Sequence, residues 1–389
     1  MPRGAEGPVP WKASDQVDLR MQFITRLRGG ELMVDLCREF GISRKTGHKF
    51  ARRYEQYGVD GVKDQSRAPK TCHHRIDNAT AELIVAMRKA HPNYGGKKIK
   101  TLLEQAHPGV VFPASSSIGD LLDRHGLITR RQRRRRVAPY AHPLSTAEAP
   151  NDLLCTDYKG EFRLGDGTYC FPLTVTDRFS RRILTCEGFD RIELESAMEA
   201  FEELFGAFGL PKRIRSDNGV PFASRGLCGL TRLSVWWMRL GIIHERIEPA
   251  SPQQNGQHER MHRELKRETT RPAAQNLLAQ QERFDRFVEE YNDVRPHEAL
   301  GQQQPSKVYT PSPRPFPSRL PELKYPMHDD TVQVSASGHL RIARTHFYFS
   351  AALAGQPIGV RELDDGGLLL SFMHIDLGVW RAKSGLEES

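Results

Sequence analysis

The chain has 389 residues, of which 38% are hydrophobic, and its 57 lysines and arginines outnumber 48 acidic residues to give a formal charge of +9. That length leaves room for two or three domains of roughly 150 residues. No apolar run approaches the ~18 residues of a membrane span, and the opening MPRGAEGPVP is no signal peptide, so a bacterial-type cytoplasmic protein is expected, with no membrane partner.

Charge is unevenly spread. Residues 1–150 hold 27 basic against 15 acidic side chains, whereas the remainder holds 30 against 33. Phosphate contact is therefore expected mainly in the N-terminal part. The six cysteines, at 37, 72, 155, 170, 186 and 228, include no CxxC pair. A disulfide framework is not expected, and Cys72-His73-His74 reads as polar linker and not as a zinc site.

Residues 1–14 are rich in Pro and Gly and are expected to be disordered. Helical patterns follow over Gln16 to Arg28, Leu32 to Phe40 and Arg44 to about Tyr57. Gly41-Ile42-Ser43 before the third supplies a turn, an apolar residue and a Ser N-cap, the grammar of a helix-turn-helix domain over 15–65. Arg44, Lys45, His48, Lys49 and Arg52 on the third helix are candidate DNA contacts. Gly47 inside that helix should cost roughly 1 kcal/mol relative to Ala.

A linker over 66–75, with Arg67 and Lys70 as phosphate-tracking side chains, leads to a second unit over 76–129 that reads as another helix-turn-helix domain. Lys97 and Lys98 stand at one of its helix starts as candidate DNA contacts, and Ser115-Ser116-Ser117 is placed to cap the next helix. Two modules imply a bipartite duplex-DNA site. The linker over 130–150 opens with Arg130, Arg131, Arg133, Arg134, Arg135 and Arg136, a solvated tether that can also follow phosphates or a minor groove.

Residues 151–309 read as strands followed by strands alternating with helices, which argues for a mixed sheet covered by helices. Three phrases stand out: LLCTDYKGEF, IRSDNGVPF and SPQQNGQHERMHRELKRE. Asp157 closes a short apolar run and Asp217 closes a strand-length run before an Asn-Gly turn, so both lie at strand ends. Glu259 lies about two turns into a helix, sharing a face with His262, Arg263 and Lys266 that would lie along a polyanion. Three converging carboxylates would repel one another without a cation between them. Oxygen donors of this kind suit Mg2+ or Mn2+, and two ions roughly 3.5–4 Å apart would serve an in-line phosphoryl displacement.

These phrases, with Asp217 and Glu259 separated by 42 residues and with YNDVRPHEAL from Tyr291 to Leu300, resemble the core of insertion-sequence DDE transposases of the retroviral-integrase-like branch. The resemblance implies a ribonuclease H-like α/β fold. It also implies Asp157, Asp217 and Glu259 as catalytic metal ligands, binding of terminal inverted repeats, 3′-end cleavage, strand transfer, and a homo-oligomer assembled on DNA. Asp177 falls where that family has a structural Asp. The role of Arg295 and His297, core anchor or DNA contact, is left open.

A Pro-rich linker is expected over 310–328. Residues 329–389 read as β-strands with hairpin signals at Ser337-Gly338 and Asp365-Gly366-Gly367, resembling the small C-terminal barrels of related transposases. The expected fold class is thus multidomain α+β: helix-turn-helix domains, a ribonuclease H-like core and a small barrel.

Overall fold

The structure is a computed structural model that describes residues 16–66, 76–128, 144–158, 160–248, 252–342, 344–382 and 384–388. The expectations for residues 1–14, for Arg67, Lys70 and Cys72-His73-His74, and for the arginine run from Arg130 to Arg136 lie outside the described residues. The chain divides into two compact units, Met1–Ile76 and Asp77–Ser389.

In the first unit, α1 (Gln16–Arg28), α2 (Met33–Glu39) and α3 (Arg44–Tyr57) pack around Phe23, Ile24, Leu36, Cys37, Ile42 and Phe50. Ser43 caps α3 as expected, its hydroxyl accepting from the Thr46 amide at 3.2 Å. Gly47 is a packing requirement. A Cβ there would sit 2.8 Å from Cys37 Sγ, 2.8 Å from Met33 Sδ and 3.0 Å from Phe23 Cζ, so its absence lets α3 approach α1 and α2 closely.

The second unit begins with α4 (Asn78–Ala90), α5 (Gly96–Ala106) and α6 (Ser115–Arg124). Asp77 caps α4 through the Thr80 amide at 2.8 Å. The serine cap expected on α6 is not used: Ser115 is its first residue, and Ala114 occupies the cap position without a side-chain bond.

A mixed sheet follows, built from β1 (Leu154–Tyr158), β2 (Phe162–Arg163), β3 (Tyr169–Asp177), β4 (Ile183–Phe189), β5 (Arg213–Ser216) and β6 (Ile243–Arg246). β3 runs antiparallel to β1, β2 and β4, while β1, β5 and β6 run parallel. On one face, α7 (Leu194–Phe208) and α8 (Arg232–Arg239) bury Phe201, Phe205 and Trp237 against Leu154, Leu173 and Ile214. In another cluster, α9 (Gly256–Thr269) and α10 (Leu277–Glu289) pack Met261, Leu265, Phe284 and Phe287 on Cys170, Ile183 and Cys186. α10 ends in a π-helical turn over Glu290–Val294, and α11 (Pro305–Val308) follows.

The C-terminal strands do not close into a barrel. β7 (Asp330–Gln333), β10 (Pro357–Glu362), β11 (Leu368–Phe372), β12 (Ile375–Arg381) and β13 (Gly385–Glu388) form one open sheet, with β7 and β13 at its edges. β8 (His339–Ile342) and β9 (Thr345–Tyr348) make a separate hairpin. Closure requires the first and last strands to pair with a defined stagger, which hairpin signals do not encode. The Asp365-Gly366-Gly367 turn does join β10 to β11, with Gly366 at φ +76°. Leu227, Leu230, Val235 and Met238 of the core segment share one hydrophobic cluster with these strands. Arg314, in the Pro-rich stretch, donates to the carbonyls of Pro211 and Leu240.

Candidate active site

Strand pairing puts two of the three acids at the ends of neighbouring parallel strands. Leu154 pairs with Ile214 and Cys155 with Arg215 across parallel strands. Carried two residues further, that register would align Asp157 with Asp217, which lies just past the end of β5. Residues in register on neighbouring strands project to the same face, so both carboxylates rise from one edge of the central sheet. Asp217 Oδ1 accepts from the Gly219 amide at 3.0 Å, and Asn218 Nδ2 donates to the Ile247 carbonyl at 2.7 Å. A Cβ at Gly219 would lie 3.0 Å from Asp217 Oδ2, so glycine makes room for the carboxylate to fold back on its turn.

Asp157 is supported from behind. Its antiparallel partner on β3 is Thr174, whose hydroxyl donates to the Asp157 carbonyl at 3.1 Å. The same hydroxyl lies 2.6 Å from His262 Nε2 and 2.8 Å from His258 Nε2, while His258 Nδ1 meets Thr176 Oγ1 at 2.8 Å. His262 Nδ1 stands 3.6 Å from Asp157 Oδ2. His262 is thus buried, at 5% exposure, and the expectation that it shares a DNA-facing surface with Glu259 is corrected. An i+3 position also borders the core stripe made by Met261 and Leu265, and burial wins. Burial also pushes the His258 imidazole down to about 3, which keeps it neutral between its two threonines.

Glu259 lies in the first turn of α9 and is exposed, as are Arg263 and Lys266. Among the described residues no three His, Cys, Asp or Glu side chains are gathered closely enough to hold a metal ion. The donor chemistry still fits a hard dication: carboxylate oxygens on adjacent strand ends, with the buried Asn255 Oδ1 at the start of α9 lacking a hydrogen-bond partner among the described residues. Asp177 is wholly buried and organises a turn, accepting from Asn151 N, Ser180 N and Ser180 Oγ at 2.8, 2.7 and 2.6 Å. Burial raises its carboxyl pKa, partly offset by those bonds.

The candidate DNA contacts divide in two. Arg44, Lys45, His48, Lys49 and Arg52 are all exposed on α3. Lys97 is exposed but ion-paired with Glu298. Lys98 is half-buried over the Tyr94 ring at 5.3 Å, its pKa pushed down to about 8 by burial and then by Arg295, so it faces the core and not a DNA groove.

Arg215 was not legible as a site residue, and Arg295 was visible only as either a core anchor or a DNA contact. Arg215, two residues before Asp217, is 2% exposed and binds Glu245 Oε2 at 3.1 Å, the Ser145 carbonyl at 2.6 Å and the Gln254 carbonyl at 3.1 Å. Arg295 is also 2% exposed; it pairs with Glu264 and, at 3.6 Å, with Glu268, both on α9. An arginine in a buried role leaves no signature in composition or periodicity.

The strand order β4-β3-β1-β5-β6, antiparallel then parallel with helices on the sheet and acids at the ends of neighbouring central strands, defines a ribonuclease H-like core. Comparison with known proteins agrees. Integrase core domain families match residues 147–252 and 240–305, a helix-turn-helix domain family matches 19–70, and a homeodomain-like family matches 46–122. A protein of insertion element IS136 from Agrobacterium fabrum is 30% identical over 157 residues, covering 37% of this chain and 76% of that protein. A 39.2 kDa protein of insertion element IS476 from Xanthomonas euvesicatoria is 25% identical over 237 residues, covering 59% of this chain; the chain spans 64% of that relative's length. Likeness to the simian T-cell lymphotropic virus intasome, at 17% identity and a TM-score of 0.37 over 76% of this chain and 95% of that one, is too slight to carry an argument. The chain belongs to the integrase-core family of insertion-sequence transposases.

Proposed function

We propose that the protein is a DDE transposase that binds the terminal inverted repeats of its element, cleaves at their 3′ ends and joins those ends to target DNA. The observation that carries the reading is the parallel pairing of Leu154 with Ile214 and Cys155 with Arg215, which supports Asp157 and Asp217 as acids at neighbouring strand ends. Asp157, Asp217 and Glu259 would hold Mg2+ or Mn2+, with two ions per site, and the bound metal would activate the attacking oxygen and stabilise the leaving oxygen. Gly219 aims Asp217 through its amide, and Thr174 with His262 holds Asp157 from behind. Arg263 and Lys266, exposed on the helix of Glu259, attract the phosphates of the bound strand. Water attacks the phosphodiester at the element end and the P–O3′ bond breaks, freeing a 3′-OH. That hydroxyl then attacks a target phosphodiester, displacing a target 3′-OH, so no covalent protein–DNA intermediate is needed.

The exposed bases of α3, with a second contact from residues 77–128, would supply end recognition. Two ends must meet for joining, so a homo-oligomer assembled on DNA follows from the reaction. No helix among the described residues is long and apolar enough to cross a membrane.

The test is a gel assay with candidate end DNA, a plasmid target and Mg2+ or Mn2+, comparing wild type with Asp217→Asn. Nicked and plasmid-joined products from wild type alone support the reading. Tight end binding without product under either metal would replace it with a DNA-binding regulator.

A further inference from the structure

The block from Tyr291 to Leu300 is where the helical module of residues 77–128 grips the catalytic core, and its centre is Arg295. The guanidinium lies 5.3 Å from the Tyr94 ring of the module and 5.6 Å from the Tyr291 ring of the π-helical turn, while pairing with Glu264 and Glu268 of α9. Around it, the Tyr94 hydroxyl donates to Glu290 at 2.6 Å, His91 Nδ1 meets the same carboxylate at 3.0 Å, and Asn93 Nδ2 donates to Glu268 at 3.1 Å. Asn292 stitches the turn to β4 by exchanging two hydrogen bonds with the backbone of Ile183, at 2.9 and 2.8 Å. One buried cation therefore ties the module, the π-helical turn and α9 together.

α9 is also the helix of Glu259. Its buried stripe is His258, Met261, His262, Leu265 and Thr269. At 3.6 residues per turn, Glu264 and Glu268 flank that stripe on one side and Glu259 on the other. Holding the first flank fixes the roll of the helix, and the roll decides where Glu259 points. With side chains reaching about 5–6 Å from the helix axis, a roll of about 10° moves that carboxylate by about 1 Å, a misplacement that can cost a hundred-fold in rate.

We infer that Arg295 is a positioning residue for Glu259, acting through Glu264 and Glu268, and that the docked module of residues 77–128 supplies the fixed surface against which it works. The inference rests on the transposase reading. It makes the module part of the catalytic apparatus as well as a place for DNA to bind.

The test compares wild type, Arg295→Lys, Arg295→Met and the triple variant Arg295→Met with Glu264→Gln and Glu268→Gln, which removes the ion cluster without stranding carboxylates. Each full-length protein is checked for a wild-type melting profile. Mn2+ binding to the end-DNA complex is then titrated by electron paramagnetic resonance without target, and cleavage is measured against Mg2+ concentration. The expected result for the triple variant is end-DNA affinity within about two-fold of wild type, a half-saturating Mn2+ concentration raised about ten-fold, and a lower kcat that high metal partly restores. Arg295→Lys should fall between. A folded triple variant with wild-type metal binding and kcat would overturn the inference, as would weakened end binding with kcat unchanged. Inactive wild type would count instead against the transposase reading.

Discussion

Thr174 Oγ1 sits 2.6 Å from His262 Nε2 and also donates to the carbonyl of Asp157 at 3.1 Å, so a single hydroxyl on β3 joins the third acid's helix to the strand of the first. Thr174→Val keeps the shape and removes the hydroxyl. Buried histidine nitrogens left without it should cost about 1–3 kcal/mol of stability. Cleavage should fall about ten- to a hundred-fold as Asp157 loosens, with end binding intact. Denaturant melts and single-turnover cleavage read the two effects separately; wild-type values in both would mean that the histidines find other partners.

Arg215 lies two residues before Asp217 on β5, with its charge buried beside Glu245. Removing one member of a buried pair is costlier than removing both. Glu245→Gln and Arg215→Met should each destabilise by about 3–5 kcal/mol, and the double variant by less than the sum. Strict additivity in a denaturation cycle would show that the pair is not coupled.

Helix propensity alone says that Gly47→Ala should stabilise α3 by about 1 kcal/mol. The sulfurs of Cys37 and Met33 and the ring of Phe23 leave no room for the methyl, and overpacking costs about 1–3 kcal/mol. A net loss of stability is expected, with weaker end binding as α3 shifts. An increase in melting temperature would show that the three helices yield easily.

Lys49 and Arg52 are exposed on α3. If each neutralises a phosphate, replacing both with Gln should lower the slope of log affinity against log salt by about 0.9 for each phosphate no longer neutralised. A salt titration of end binding decides this, and an unchanged slope would move recognition elsewhere.

Burial pushes His244 down to about 4, helped by Arg246, and His297 down to about 3, helped by Lys98 and Arg295. Both folded values lie below the ~6.5 of an unfolded histidine. As pH falls from 6.5 the unfolded chain takes up protons that the folded chain refuses, so stability drops toward pH 4, by about 1.4 kcal/mol per unit of each shift. His244→Asn combined with His297→Asn should flatten the stability profile between pH 6.5 and 4. A slope equal to wild type would mean that both imidazoles charge in the folded protein.

Much of this fold could be read from the chain because its signals are local. Ser43 announces α3, and the apolar run ending at Asp157 announces a central strand. The Asp365-Gly366-Gly367 turn likewise announces the hairpin of β10 and β11. The failures are all matters of what lies opposite. Helical spacing put His262 on a face with Glu259 but could not say that Thr174 would bury it. It counted Lys98 as a DNA contact because nothing in the sequence places Tyr94 and Arg295 beside it. Hairpin signals and a resemblance to related transposases suggested a barrel, but closure depends on which edges meet. The adjacency of the strands that end in Asp157 and Asp217 was likewise only half legible: each strand end was visible, while the pairing of β1 with β5 exists only once the sheet forms.

The C-terminal sheet has no core wholly its own. Leu227, Leu230, Val235 and Met238, upstream of the Pro-rich stretch, fill the same cluster as Leu340, Ile358, Phe372 and Trp380. A gene copy decayed to stop within residues 310–328 would therefore encode a protein with its inner apolar lining laid open. Such a fragment is expected to aggregate through that exposed lining.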